Sequence, residues 1–177
     1  MAEPMLALPV DWLQALPPLT RFSFCGDASA QSAAAAAFGV PFSSVACRAH
    51  SQGGRAALWL GPDEWLLLAP AADKPQVIAA IATALASTPH SLVDISQRQV
   101  AYELRGPQAA WLLNAQCPLN LSLPAFPVGM CTRTIFAKTE IVLWRTAPES
   151  FHVEVFRSFA DYLVSLLRVV AQELAVS

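Results

Sequence analysis

A chain of 177 residues with a formal net charge of −2 lacks the positive surface that nucleic-acid binding requires. Apolar residues make up 55% of it and charged residues 14%, but no apolar stretch approaches the ~20 residues that cross a bilayer. Charge this scarce reflects either an alanine-rich composition, as in the run AAAAA at 33–37, or a surface that a partner covers. Five tryptophans and nine phenylalanines favour the partner.

The N-terminal arm, residues 1–19, is rich in proline and has no basic segment of the kind that opens a secretory signal, so we expect a cytoplasmic protein. The cysteines Cys25, Cys47, Cys117 and Cys131 have no CxxC spacing, and no histidine clusters with them, so the sequence predicts no metal site. In the cytoplasm these cysteines should be free thiols that are buried as small hydrophobic side chains.

Residues 20–96 predict alternating strands and helices. TRFSFC is a strand, and Asp27 is placed to cap a helix that runs through the alanines. The strands VACRAH and RAALWL are joined by a turn at Gly53–Gly54, and the Gly-Pro-Asp turn at 61–63 leads into the strand EWLLLAP. Asp73 opens the helix DKPQVIAAIATALAS, and SLVDIS follows as a strand.

Residues 97–177 repeat this order: RQVAYELRG is a strand, PQAAWLLNA a short helix, CTRTIFAKTEIVLWR a hairpin, FHVEVF a strand and RSFADYLVSLLRVVAQEL a long helix. We therefore predict a single domain over 20–177 with two pseudo-repeats, about 20–96 and 97–177. Each repeat is a strand–helix–strand–strand–helix (β-α-β-β-α) unit, which gives an α+β fold with mainly antiparallel sheets.

Two tryptophans, Trp59 and Trp65, flank the turn in WLGPDEWLL. They either clamp a flat ligand such as a pterin, or pack a core or an interface around a hairpin whose turn residues are set by backbone geometry. The hairpin interpretation is favoured because it needs only ordinary strand packing.

Asp94, Ser96 and Arg98 are spaced two apart in SLVDISQRQ, so a continuous strand would place them on one face. Asp94 could then act as a general base. Alternatively, Asp94 and Ser96 accept backbone N–H groups at a strand end and Arg98 neutralises Asp94. No nucleophile motif, linked histidine or glycine-rich phosphate loop accompanies the trio, so the sequence predicts no catalytic residue.

Arginines in the second half have no acidic residue at fixed spacing, and arginines of this kind often make hydrogen bonds across interfaces. The candidates for interface contacts are Arg98, Arg133, Arg145 and Arg157.

Six segments, taken together and in this order along the chain, indicate a family: WLGPDEWLL, SLVDISQRQ, LRGPQAAWLLNAQCPLNL, FPVGMCTRT, IVLWR and VFRSFADYL. From roughly residue 20 to residue 170, this set resembles the γ subunit of heterotetrameric sarcosine oxidase. That family is similar to the aminomethyltransferase (T-protein) of the glycine cleavage system. The resemblance implies the tetrahydrofolate-binding-domain (aminomethyltransferase-like) fold.

The resemblance also implies a role. In the complex, α, β, γ and δ subunits oxidise sarcosine to glycine and hydrogen peroxide, and the methyl carbon passes to tetrahydrofolate. The FAD, FMN, NAD, tetrahydrofolate and zinc of the complex would belong to the other subunits. The γ subunit would carry no cofactor or intrinsic activity, and it would dock on the α subunit.

One departure from the T-protein pattern bears on folate. T-protein-like enzymes hold the pterin with an acidic residue in a Tyr-Thr-Gly-Glu-like segment, whereas the comparable region here reads LWRTAPESFHVEVF, with Glu149 in a different local context. Asp94, Trp59 and Trp65 are the weak candidates for a folate site. The alternatives are a folate-binding or aminomethyltransferase-like protein that acts alone, and an interaction protein for another flavin oxidase.

Overall fold

The computed structural model describes residues 11–176, with side chains through Glu173. The described chain forms two compact units. The first unit comprises residues 11–16, 99–128 and 133–176, and the second comprises 17–98 and 129–132. None of the helices within residues 11–176 has both the length and the apolar character needed to cross a membrane.

The second unit is an antiparallel sheet with two helices. Its elements are β2 (Leu19–Gly26), α1 (Ala28–Phe38), β3 (Ala49–Gln52), β4 (Arg55–Gly61), β5 (Glu64–Pro70), α2 (Lys74–Ala84) and β6 (His90–Asp94), and they follow β1 (Leu13–Ala15) of the first unit. The strand order is β3-β4-β5-β2-β6, and every neighbouring pair is antiparallel.

The first unit has the same ingredients. Its remaining elements are β7 (Gln99–Arg105), α3 (Ala109–Asn114), β8 (Cys131–Phe136, whose first two residues belong to the second unit), β9 (Thr139–Ala147), β10 (Ser150–Phe156) and α4 (Ala160–Val176). The strand order is β1-β7-β10-β9-β8. Part of the predicted N-terminal arm is thus a strand of this sheet, with Leu13 opposite Leu104.

The α+β class with antiparallel sheets is confirmed, but each unit has three strands between its helices where the predicted β-α-β-β-α formula has two. The additional strand is β5 in one unit and β10 in the other. Each pairs with a hairpin strand on one side and with the opening strand of its unit on the other. The sheets share one order, β3-β4-β5-β2 in one unit and β8-β9-β10-β7 in the other. Duplication over about 20–96 and 97–177, within one domain over 20–177, stays a prediction.

Alternation on β2 and helical spacing on α1 and α2 build the core of the second unit. Phe22 and Phe24 point to the helices, where they meet a set of fully buried side chains: Ala30, Ala34 and Phe38 of α1, and Val77, Ile81 and Leu85 at and beyond α2. The small alanines let α1 pack close to the sheet. Ile78, predicted to share the buried face of α2, is 41% exposed because it lies about 100° around the helix from Val77.

Two local signals in the sequence proved accurate. Asp27 caps α1, where its Oδ1 accepts the backbone N–H of Ala30 at 2.9 Å. The turn at Gly53–Gly54 is present, and both glycines have positive φ angles. The strand predicted at VACRAH begins late, at Ala49, because residues 46–47 form a turn.

Candidate functional site

The end of β6 is the polar cluster that the sequence singles out. β6 ends at Asp94, and residues 96–98 form a turn, so Asp94, Ser96 and Arg98 do not share a strand face. Ser96 donates its backbone N–H to Asp94 Oδ1 at 2.9 Å and its hydroxyl to the same oxygen at 2.5 Å. The Ser96 Oγ in turn accepts the backbone N–H of Arg21 at 3.0 Å. Asp94 and Ser96 therefore each accept a backbone N–H group near the end of the strand, as the second of the two interpretations predicted.

The cation that neutralises Asp94 is Lys74, at the start of α2, rather than the predicted Arg98. Partial burial raises the pKa of Asp94, but hydrogen bonds from Lys74 and Ser96 outweigh that effect and lower the pKa from 3.8 to about 2. A general base that works near neutral pH needs a raised pKa. Asp94 is therefore a fixed anion that joins β6, β2 and α2.

The two tryptophans lie directly opposite each other on β4 and β5. Trp65 is 1% exposed and stacks on Phe42 at 5.4 Å between ring centroids, while the half-buried Trp59 packs against the same core. Because its ring faces are covered inside the unit, Trp65 has no surface with which to clamp a flat ligand. Asp94 is separated from Trp65 by the intervening strand β2. The structure does not bring Asp94 and Trp65 together, and a folate site at these residues stays a prediction.

Arg145, one of the predicted interface arginines, is 2% exposed. Its Nη1 donates to the Phe126 carbonyl at 2.7 Å and its Nη2 to the Leu121 carbonyl at 2.9 Å, and the guanidinium lies 4.4 Å from the centroid of the Phe151 ring. Burial lowers the pKa of Arg145. The side chain holds the loop between α3 and β8 and has almost no surface left for a partner.

The other three interface candidates, Arg98, Arg133 and Arg157, are exposed. Arg133 Nε lies 3.7 Å from Glu140 Oε1, which is a surface ion pair of small energetic weight. Their role at an interface stays a prediction.

Two side-chain pairs were missed in the sequence. Arg55 donates from Nε and Nη2 to Asp73 Oδ2 at 2.8 and 2.7 Å, so Asp73, which precedes α2 as expected, binds a strand arginine and does not cap the helix with its side chain. On β10, His152 Nε2 lies 2.8 Å from Glu154 Oε1, and both side chains are buried. The signal for this second pair was available as the alternation His-Val-Glu in FHVEVF, which places both side chains on one face.

An open groove with a volume of about 320 Å³ runs beside α1. It is lined by Ala28, Gln31, Ser32, Ala35 and residues 41–44, and none of these lining residues is titratable. Within residues 11–176, no three His, Cys, Asp or Glu side chains come together as a metal site. All four cysteines are thiols outside any disulfide; Cys117 and Cys131 are buried as expected, but Cys25 and Cys47 are partly exposed.

Comparison with known proteins identifies the family. The model of the sarcosine oxidase, gamma subunit family matches residues 25–173. This chain belongs to that family. The resemblance inferred from the ordered segments is thereby confirmed.

Curated relatives agree with this membership. The sarcosine oxidase subunit gamma of Corynebacterium sp. (strain P-1) is 36% identical over 67% of this chain, and that of Corynebacterium sp. (strain U-96) is 35% identical over 76%. The aligned regions span 58% and 64% of those two relatives.

Solved structures extend the likeness to the fold. A chain of the heterotetrameric sarcosine oxidase from Corynebacterium sp. U-96 matches with a TM-score of 0.86 and 29% identity, covering 93% of this chain and 85% of that one. The aminomethyltransferase T of the glycine cleavage system from Bartonella henselae matches with a TM-score of 0.66 and 14% identity, over 88% of this chain and 44% of that one. The aminomethyltransferase-like fold expected from the sequence is confirmed.

Asp94→Asn should lower the free energy of unfolding at pH 7 by at most about 1 kcal/mol, because the ion pair with Lys74 is lost and solvent screens a side chain that is 36% exposed. The folded-state pKa of Asp94 is about 2, below the ordinary 3.8. Its stabilisation is therefore complete above about pH 4 and is lost as the pH falls toward 2. Denaturant unfolding of the chain and the variant across this range measures the effect.

Lys74→Met and the double variant complete a thermodynamic cycle on this pair. The coupling energy between Asp94 and Lys74 should disappear at the acidic end of the range. A coupling energy that stays constant down to about pH 2 would contradict the assignment.

Arg145→Met should lower the free energy of unfolding by about 2–4 kcal/mol, because the carbonyls of Leu121 and Phe126 lose a buried, charged donor. Arg133→Met is the matched control on an exposed arginine and should change stability by less than about 0.5 kcal/mol. Denaturant unfolding at neutral pH compares the two. Equal effects would show that Arg145 does not stabilise its loop.

Proposed function

We propose that this chain is a non-catalytic subunit of a heterotetrameric sarcosine oxidase. The observation that carries the proposal is the family match over residues 25–173, together with the TM-score of 0.86 to a chain of such an assembly. The subunit would act by assembling with partner chains, which agrees with a composition poor in charge and rich in aromatic residues.

The side-chain chemistry supports a role without intrinsic turnover. Asp94 is ionised at neutral pH and fully engaged by Lys74 and Ser96. The His152–Glu154 pair has the composition of an acid–base pair, but its side chains are 8% and 0% exposed, so a substrate has no route to it in this chain. The groove beside α1 offers hydroxyl and amide groups and no titratable one.

The residues present do not fit a folate site of the T-protein kind. Trp65 is packed inside the unit, and Asp94 is paired. The likeness to aminomethyltransferase T, at 14% identity, concerns the fold alone. We therefore propose that the fold serves here as a scaffold.

In the proposed assembly, α, β and δ subunits accompany this chain in the cytoplasm, and the α subunit is its direct partner. Sarcosine is oxidised to glycine and hydrogen peroxide, and the methyl carbon passes to tetrahydrofolate. FAD, FMN, NAD and zinc are bound by the other subunits. The four free thiols agree with a reducing compartment.

Co-expression tests the proposal. An affinity tag on this chain should capture the α subunit, with β and δ, from cells that express all four, and sarcosine oxidation should reside in the captured assembly and not in the isolated chain. Tetrahydrofolate titrated into the isolated chain should leave its tryptophan fluorescence unchanged at millimolar concentration.

Two outcomes would contradict the proposal. A well-behaved monomer that captures no α subunit would remove the subunit role. A saturable fluorescence change with tetrahydrofolate would favour a folate-binding protein that acts alone.

A further inference from the structure

Two cysteines are neighbours across a short antiparallel pairing in the second unit. Arg48 forms a bridge with Met130, and this register places Cys47 directly opposite Cys131. The backbone N–H of Cys131 donates to the Cys47 carbonyl at 3.0 Å, and that of Ala49 donates to the Gly129 carbonyl at 2.8 Å. The pairing is therefore held by hydrogen bonds on both sides of the bridge.

This register brings the two cysteines within reach of a covalent link. One backbone hydrogen bond joins the two residues directly, and opposite residues in an antiparallel ladder have Cα atoms about 4.5–5.5 Å apart. Disulfide-bonded cysteines have Cα separations of about 4.4–6.8 Å. The other two cysteines are differently placed: Cys25 lies opposite Glu64 and Ser91, and Cys117 Sγ lies 3.9 Å from Thr134 Oγ1.

The two thiols differ in their surroundings. Cys47 is partly exposed and has φ of +58°, a left-handed conformation that residues with a β-carbon rarely adopt. Cys131 is fully buried, and its Sγ lies 3.5 Å from the Trp59 carbonyl oxygen, to which it donates. Burial raises the pKa of Cys131 to about 12, so it stays a protonated thiol at neutral pH. An oxidant from solvent therefore meets Cys47 first.

We propose that Cys47 and Cys131 form a dithiol site that hydrogen peroxide oxidises to an intramolecular disulfide. The Cys47 sulfur attacks one peroxide oxygen, the O–O bond breaks, and the products are a sulfenic acid and hydroxide, which takes up the proton released by the Cys47 thiol to become water. The Cys131 sulfur then attacks the Cys47 sulfur, the S–O bond breaks, and a second water leaves with the Cys131 proton. Two thiols are oxidised and one peroxide is reduced to two waters.

The disulfide would tie two segments that are far apart in sequence. Cys131 belongs to residues 129–132, which are part of the second unit although the residues on both sides of them belong to the first. The disulfide would link residues 129–132 to the turn at residues 46–47, which precedes β3. A cross-link that closes so long a loop restricts the unfolded chain, so the oxidised form should be more stable. The inference does not depend on the proposed function.

The test uses the full chain, fully reduced and then treated with one equivalent of hydrogen peroxide before the remaining thiols are alkylated. Before alkylation, the oxidised intact chain should be about 2 Da lighter than the reduced chain, the mass of the two hydrogens given up in a disulfide. Digestion with trypsin and chymotrypsin separates the four cysteines, and a cross-linked peptide pair should contain Cys47 and Cys131. The oxidised chain should unfold at a temperature higher by roughly 5 °C or more.

Two double variants provide the matched comparison. Cys25→Ser with Cys117→Ser should form the disulfide like the parent chain, whereas Cys47→Ser with Cys131→Ser should show no loss of mass. A link through Cys25 or Cys117, or oxidation of Cys47 to a sulfinic acid with Cys131 still free, would overturn the proposal. The peptide map of the parent chain decides the matter if a variant fails to fold.

Discussion

The polar network that begins at Asp94 fixes how three elements of the second unit are arranged. This carboxylate accepts hydrogen bonds from Ser96, pairs with Lys74 of α2, and lies beside the contact between Ser96 and the Arg21 backbone on β2. A strand, its neighbour and a helix are thereby fixed at the point where the chain leaves the second unit. Apolar burial by Phe22 and Phe24 supplies the bulk of the stabilisation nearby, but it has no direction. The hydrogen bonds and the ion pair are directional, so they fix the orientation of β6, β2 and α2 relative to one another.

The same use of polar groups recurs in the first unit, where Arg145 binds two loop carbonyls and His152 pairs with Glu154. In each case a side chain of a type that often acts in catalysis or at an interface makes hydrogen bonds within its own chain. Satisfied, buried polar groups fix a unique arrangement, because an unpaired partner would cost more than the hydrogen bond contributes. Such rigidity is what the proposed scaffold role requires.

The sequence was informative where the determining contacts are local. Asp27 reaches only three residues to cap α1, and Gly53–Gly54 turns the chain within one hairpin. The sequence did not indicate contacts between residues that are far apart along the chain. Nothing near Asp94 indicates Lys74, twenty positions upstream, and the spacing of Arg98 pointed to the wrong cation. The strand expected from Val45 starts later because the backbone at Cys47 has a positive φ, which the residue type does not signal. The family was recognisable because its segments keep their order along the chain.

Turnover of the assembled complex carrying Asp94→Asn tests most directly whether these polar groups support structure and not chemistry. The complex is captured through a tag on this chain, and its yield and its rate of sarcosine oxidation per captured α subunit are measured separately. We expect a lower yield of complex, with a rate per complex within about twofold of the parent, because Asp94 is engaged by Lys74 and Ser96 of its own chain. A full yield of complex with turnover abolished would contradict it.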